Sequence, residues 1–240
     1  MAVQSTLLLI ADIAGYTRFM KMHETSLAHA QQIVASLLEA VIDAAKPAFA
    51  LAKLEGDAAF LYRRHDAGTQ RALDDVAADI YRAFHLRSAD IQANTLCPCD
   101  GCQQAGNLRI KFVGHLGDVA TQRVKRLTEL AGVDVIVVHR MLKNAVPVDE
   151  YLLVTEPAHA TLRAPTRQSA TPFELELDDL GATGAWYVDL RHLAPTLPPP
   201  RRRSRLARLG GFLRLEARNL PYALGLRKAC EGFRNVPDVH

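Results

Sequence analysis

Two short acidic segments carry residue types suited to phosphoryl chemistry, Asp12-Ile-Ala-Gly-Tyr-Thr and Lys53-Leu-Glu-Gly-Asp57. Each sets a carboxylate where an apolar run meets a glycine turn. An acid there stands on rigid backbone yet reaches solvent, which suits Mg²⁺, an ion held by one or two carboxylates while water and substrate phosphates complete its octahedron. Gly15 and Gly56 lack a Cβ and would let a polyphosphate approach the main chain. An Asp at a strand end is also a common turn former, so spacing alone leaves both readings open.

A third group is Cys97-Pro-Cys-Asp-Gly-Cys102. Cys97, Cys99 and Cys102 can face a common centre because Pro98 and the Asp100-Gly101 turn curl the loop, and thiolates in such an arrangement are zinc ligands. Cys230 or a nearby histidine would supply a fourth ligand. An iron–sulfur centre and plain thiols on a loop are the alternatives.

The elements that must position these residues are legible from hydrophobic period. Residues 6–11 form a continuous apolar run closed by Asp12 and Gly15, as in a strand buried on both faces. Leu27, Ile33, Val34, Leu37, Leu38, Val41 and Ile42 recur at spacings of three and four, a helix ending near Lys46-Pro47. Strands over 49–54 and 58–62 flank Glu55-Gly56-Asp57 as a hairpin, and residues 68–90 read as a second helix. Residues 108–116 alternate as a half-buried strand. Basic and polar residues fill 121–129, and a helix is expected from Val133 into His139-Arg-Met-Leu-Lys143. Residues 151–154, 173–177 and 186–190 are later strands. The order β, α, β, β, α, β, α, β predicts an α+β fold with helices packed on a largely antiparallel sheet.

The 240-residue chain is 49% hydrophobic, 23% charged and 6% aromatic, which excludes disorder throughout and suffices for one sizeable core. The net charge of +3 hides an uneven distribution. From Arg201 onward there are ten Lys or Arg against three acids, a tail of +7 after Pro198-Pro-Pro200, so the first 200 residues carry −4. The sequence predicts a domain over 1–195 followed by a Pro-rich linker and basic tail over 196–240. No run approaches the roughly 18 apolar residues of a spanning helix, and the N-terminal residues lack a secretory pattern. A cytoplasmic protein is expected. In the tail, Leu206, Leu209, Phe212 and Leu213 share one side of a helix interrupted by Gly210-Gly211, with most arginines on another side. Such a helix would contact the acidic core or lie peripherally on an anionic membrane surface. Nucleic acid is disfavoured, because stacking aromatics and a known binding motif are missing.

Asp12-Ile-x-Gly-Tyr-Thr, Lys53-x-x-Gly-Asp57 and Gly114-His115-x-Gly117 resemble, in family order, the successive signatures of class III adenylate and guanylate cyclase catalytic domains. The Val135-Ile-x-x-His-Arg140-Met-Leu-Lys-Asn144 stretch is similar to a bacterial branch of that superfamily called DUF2652. The resemblance covers roughly residues 5–190. It implies a ferredoxin-like nucleotidyl cyclase fold, a nucleoside triphosphate substrate with ATP first, and Mg²⁺ or Mn²⁺ held by Asp12, Asp57 and the Ile13 carbonyl. Such ions lower the pKa of the ribose 3′-hydroxyl and neutralise the triphosphate as the α-phosphorus is attacked. Lys53 matches the base-reading lysine, and its ammonium, a donor only, favours an acceptor such as adenine N1. Arg140 matches the arginine that stabilises phosphoryl charge. The family's active site lies between subunits, which implies a head-to-tail homodimer with Asp12 and Asp57 facing Arg140 of the partner subunit.

Two positions depart from the family pattern. Alignment on Gly132 puts Ile136 where cyclases carry a ribose-orienting asparagine, and the base-pairing aspartate has no clear counterpart. Glu129 is the candidate substitute and Asp134 a poorer one. His139 and Lys143 adjoin Arg140 and would enlarge a cationic patch, whereas His115 is expected to hold the sheet together rather than react. The primary expectation is therefore a nucleotidyl cyclase-like domain. Its rival is a catalytically degenerate nucleotide-binding or regulatory interaction module, and a metal or redox sensor built on the cysteines is a third reading.

Overall fold

The computed structural model describes residues 3–21, 27–66, 71–97, 100–125 and 127–223. In chain order its elements are β1 (Val3–Ala14), α1 (Tyr16–Lys21), α2 (Leu27–Ala45), β2 (Ala50–Glu55), β3 (Ala58–Arg64), α3 (Leu73–Asn94), α4 (Asp100–Gln104), β4 (Arg109–Val124), β5 (Leu127–Ala131), α5 (Val133–Arg140), β6 (Tyr151–Thr155), α6 (Glu156–His159), α7 (Ala164–Ser169), β7 (Thr171–Leu177), β8 (Gly181–Asp189) and α8 (Arg205–Ala223). They group into two compact units. The first is drawn from residues 1–14, 38–85 and 109–197, the second from 15–37, 86–108 and 198–240.

The first unit is built on one sheet with strand order β2-β3-β1-β4-β6-β8-β7, to which β5 adds by pairing with β4. Every pairing is antiparallel except β4 with β6. Helices pack on this sheet, so the α+β expectation is met. Leu7, Leu8, Leu9 and Ile10 of β1 are all fully buried, which explains the unbroken apolar run. Leu8 and Ile10 share a core cluster with Phe60, Val113, Val138, Met141, Tyr151 and Leu153. On the opposite face, a Cβ on Gly114 would come within 3.0 Å of Leu73 at the start of α3. Helix and strand touch there at a distance only glycine permits. From α3 itself Leu73, Val76, Ile80, Tyr81 and Phe84 are fully buried, each worth roughly 1.5–3 kcal/mol against exposure.

Residues 121–129, read from sequence only as polar, continue β4 and begin β5: Thr121 pairs with Leu130 and Gln122 with Glu129. Thr121 and Gln122 are exposed. Their polarity follows from that exposure, and it erased the alternation by which a half-buried strand is recognised.

The second unit contains α1, the first half of α2, the end of α3, α4, a 3₁₀ turn at Ala105–Asn107 and α8. The start of the basic tail is anchored here on α3: Arg203 pairs with Asp90 at 2.7 Å and its backbone N–H donates to Asn94 Oδ1 at 2.8 Å. Asn94 Nδ2 donates back to the Arg201 carbonyl at 3.0 Å. Helix α8 runs through Gly210 and Gly211 without a break. Each glycine costs about 1 kcal/mol against alanine, and the leucine, arginine and alanine around them are strong helix formers. No helix among the described residues is long and apolar enough to cross a membrane.

Candidate functional site

Asp12 lies near the C-terminal end of β1, paired with Ala58 of β3 and Lys111 of β4. Cross-strand partners share a face, so Asp12 and Lys111 project on the same side as Ile10 and Val113, toward the core cluster. Lys111 Nζ lies 3.1 Å from Asp12 Oδ2, with the two side chains 23% and 16% exposed. The sequence reading missed this lysine. Its signal was available: it stands two residues from the buried Val113 on one face of a strand, where a charge needs a partner.

Asp57 follows Gly56, which takes φ +68° in the β2–β3 turn. The Asp57 carbonyl accepts the Ile13 N–H at 3.3 Å and so ties the turn to the residue after Asp12. Burial pushes the Asp57 carboxyl up to about 6, and the negative charge of Asp12 adds to the rise; a backbone N–H and the Lys111 ammonium offset part of it. Two carboxylates that repel each other at a strand end make a poor resting pair. Carboxylate oxygens are hard donors, of the kind that would hold Mg²⁺ or Mn²⁺.

Lys53 reaches the same face through a β-bulge. Leu51 pairs with Leu61, but the next register pair is Lys53 with Phe60, so one residue of β2 is extra. Without it Lys53 would oppose Ala59 and point to the other side of the sheet, since a one-residue slip reverses every side chain. With it, Lys53, Phe60 and Ile10 lie in one row across the sheet, next to the row that holds Asp12. Lys53 is exposed. Gly15 leaves β1 with φ +87°, and its carbonyl accepts the Phe19 N–H at 2.9 Å to start α1.

Helix α5 carries the other candidates. His139 places Nε2 3.0 Å from the Glu55 carboxylate and Nδ1 2.7 Å from the Val135 carbonyl. This contact seats the end of α5 beside the residue that precedes Gly56-Asp57. Arg140 turns instead to the β7–β8 turn, reaching Asp178 at 3.2 Å and Asp179 at 3.3 Å, and Lys143 reaches Asp178 at 3.4 Å. Exposed pairs of this kind contribute about 0–1 kcal/mol, so the guanidinium is only loosely committed. Ile136 is 51% exposed. Glu129 lies on β5 opposite Gln122.

Asp134 is engaged elsewhere: Oδ1 accepts from His115 Nε2 at 2.9 Å and Oδ2 from the Asp118 N–H at 2.6 Å. His115 Nδ1 in turn faces the Thr155 hydroxyl at 2.8 Å. His115, buried, thus ties β4 to α5 and β6. Of the cysteines, Cys97 and Cys102 are buried in the second unit, whereas Cys99 and Cys230 fall outside the described residues.

A family model described as "Protein of unknown function (DUF2652)" matches residues 34–151. The Mycobacterium tuberculosis protein Rv2561/Rv2562, described as uncharacterized, is 44% identical over 205 residues, which cover 85% of this chain and 94% of that protein. The chain belongs to the DUF2652 family. Among solved structures it is similar to the guanylyl cyclase Cya2, with TM-score 0.55 and 11% identity over 78% of this chain and 92% of that one. It is also similar to the catalytic core of a rhodopsin-guanylyl cyclase with converted specificity, in complex with ATPαS, with TM-score 0.54 and 16% identity over 78% and 97%. This DUF2652 protein therefore has the fold of class III cyclase catalytic domains, as its motifs implied. The DUF2652 match takes in Lys53, Asp57, Lys111 and Arg140; Asp12 precedes it.

Proposed function

We propose that the chain is a nucleotidyl cyclase-like domain that binds a nucleoside triphosphate, ATP first, with Mg²⁺ or Mn²⁺ at Asp12, Asp57 and the Ile13 carbonyl, and converts it to a cyclic nucleotide. The observation that carries this reading is the Asp12–Asp57 pair: an acid of β1 and an acid of the β2–β3 turn interact, and Asp57 is raised to about 6 by burial and by the charge of Asp12. A divalent ion bound there neutralises the pair and supplies charge compensation to the triphosphate and to a 3′-oxygen. The chain's own groups do the remainder. Lys53, exposed on the same face, donates to a base acceptor. Gly56 leaves the turn open, with no atom within 4 Å of where a Cβ would stand. Arg140, released from Asp178 and Asp179, offsets charge on the α-phosphate from across a head-to-tail homodimer, and Glu129 takes the base-pairing place. Domain boundaries at 1–195 and 196–240 go with this reading, as does a cytoplasmic protein whose basic tail touches an anionic membrane surface.

A second reading has its own observation. Ile136 occupies the ribose-orienting position and is a half-exposed hydrocarbon, able to orient nothing by hydrogen bonding. It favours a module that binds metal and nucleotide without turnover. Incubation of purified protein with each nucleoside triphosphate and Mn²⁺ or Mg²⁺, with Asp57→Ala as control, separates the readings. Cyclic product and pyrophosphate support the first; metal-dependent binding without product selects the second; neither product nor binding sinks both.

A further inference from the structure

The cysteine loop contains a donor that its sequence pattern does not reveal. His29, on the first turns of α2, stands against the loop: its Nδ1 lies 3.4 Å from Cys97 Sγ. The ligand atoms of His29, Cys97 and Cys102 all lie within 4.8 Å of one another. All three residues are buried, at 4%, 6% and 3% exposure, and all belong to the second unit. Neither thiol is in a disulfide.

A tetrahedral zinc site has bond lengths of about 2.3 Å to sulfur and about 2.0–2.1 Å to nitrogen. Those lengths set ligand atoms roughly 3.5–4 Å apart. The observed Nδ1–Sγ separation already has that size, and the remaining edges need only a small contraction. Two thiols and an imidazole are soft and borderline donors, which select Zn²⁺ over Mg²⁺ or Ca²⁺. The placement of His29 is not what core packing alone asks of a histidine. α2 shows its apolar face in Ala30, Ile33, Val34 and Leu37, all buried, and His29 adds a polar ring to that face directly opposite two thiols.

Access is also present. Cys97 and Cys102 form part of the wall of a cleft of about 290 Å³ that is also lined by Arg203 and by Arg208 and Phe212 of α8. Arg208 donates to the carbonyl of Thr95, two residues before Cys97.

We propose that His29, Cys97 and Cys102 form a zinc site, distinct from the Asp12–Asp57 pair, that staples the 97–102 loop to α2. Cys99 lies outside the described residues. Because each thiol gives up its proton on binding, zinc affinity rises with pH until both are thiolates.

The test uses the full-length protein, reduced and stripped of metal, titrated with Co²⁺ as a spectroscopic stand-in and with Zn²⁺ in competition. The wild type is expected to bind one Co²⁺ with thiolate-to-metal charge transfer and the intense visible bands of tetrahedral cobalt, both abolished by Zn²⁺. His29→Ala, Cys97→Ser and Cys102→Ser are each expected to weaken binding at least tenfold. Should a variant fail to fold, alkylation of the wild type decides: Zn²⁺ is expected to protect Cys97 and Cys102 and a chelator to expose them. Absence of tetrahedral cobalt absorption in the wild type overturns the site. So does binding kept at wild-type strength in His29→Ala. Neither outcome bears on the acidic pair, which holds no sulfur ligand.

Discussion

Two buried carboxylates of the first unit meet opposite electrostatic fates. Glu150, 5% exposed just before β6, receives His85 Nε2 at 2.7 Å, the Tyr81 hydroxyl at 3.1 Å and the Ile110 N–H at 3.3 Å. Burial alone would raise its pKa, but these hydrogen bonds and the His85 charge hold it below the ordinary glutamate value. The same arrangement drives the Tyr81 hydroxyl upward, first through burial and then through the Glu150 charge. Asp57 is buried less and shifted the other way, to about 6, first by burial and then by the negative charge of Asp12. A satisfied buried acid is structure: it joins α3, β4 and the start of β6. Asp57 is raised instead, by burial and by the neighbouring Asp12, and perturbed groups of that kind mark candidate sites.

The contrast is broken most forcefully at Glu150. Glu150→Ala leaves His85, Tyr81 and the Ile110 N–H without their common acceptor and is expected to cost about 3–5 kcal/mol in denaturant unfolding; a loss below about 1 kcal/mol would remove its structural role. Next in size is Lys111, whose ammonium competes for Asp12. Lys111→Met is expected to tighten Mn²⁺ binding about tenfold, or about 1.4 kcal/mol, by removing that competitor; unchanged or weaker affinity by calorimetry would place the metal elsewhere.

Asp57→Asn sharpens the comparison through pH. The folded-state pKa of Asp57 is raised from 3.8 to about 6, so its contribution to stability is present below the unfolded value and is lost as pH rises through about 6. Above that, the ionised acid is a burden, which asparagine lifts. Discounting the shift for the solvent that still reaches this half-buried group, the metal-free variant gains about 1 kcal/mol at pH 8 and nothing at pH 4. A gain independent of pH would assign it to something other than charge. The smallest effect belongs to Arg140→Ala, expected to change stability by about 0.5 kcal/mol, because its partners Asp178 and Asp179 are exposed. A loss of several kcal/mol would make Arg140 structural and unfit for transfer to a substrate.

Much of this was readable in the residues. The strand β1, the hairpin around Gly56 and the helix from Val133 follow from hydrophobic period and glycine, and the three motifs in order pointed to the cyclase fold that the structure shows. What stayed hidden depends on register and tertiary contact. The bulge that turns Lys53 toward the Asp12 face adds one residue to β2 and leaves no mark in composition. Lys111 meets Asp12 only because β1 and β4 pair at that register. Asp134 looked available for a base and is instead consumed by His115 and the Asp118 N–H. His29 lies 68 residues before Cys97, beyond the reach of any spacing rule.

The most direct test of the account is calorimetric titration of the metal-free full-length protein with ATP, with and without Mn²⁺, alongside Asp57→Ala. The account predicts ATP binding that requires Mn²⁺ and is weakened about a hundredfold or more by Asp57→Ala, a loss of about 2.7 kcal/mol, while the variant remains folded. Binding that is indifferent to Mn²⁺, or equal in Asp57→Ala and the wild type, would contradict it.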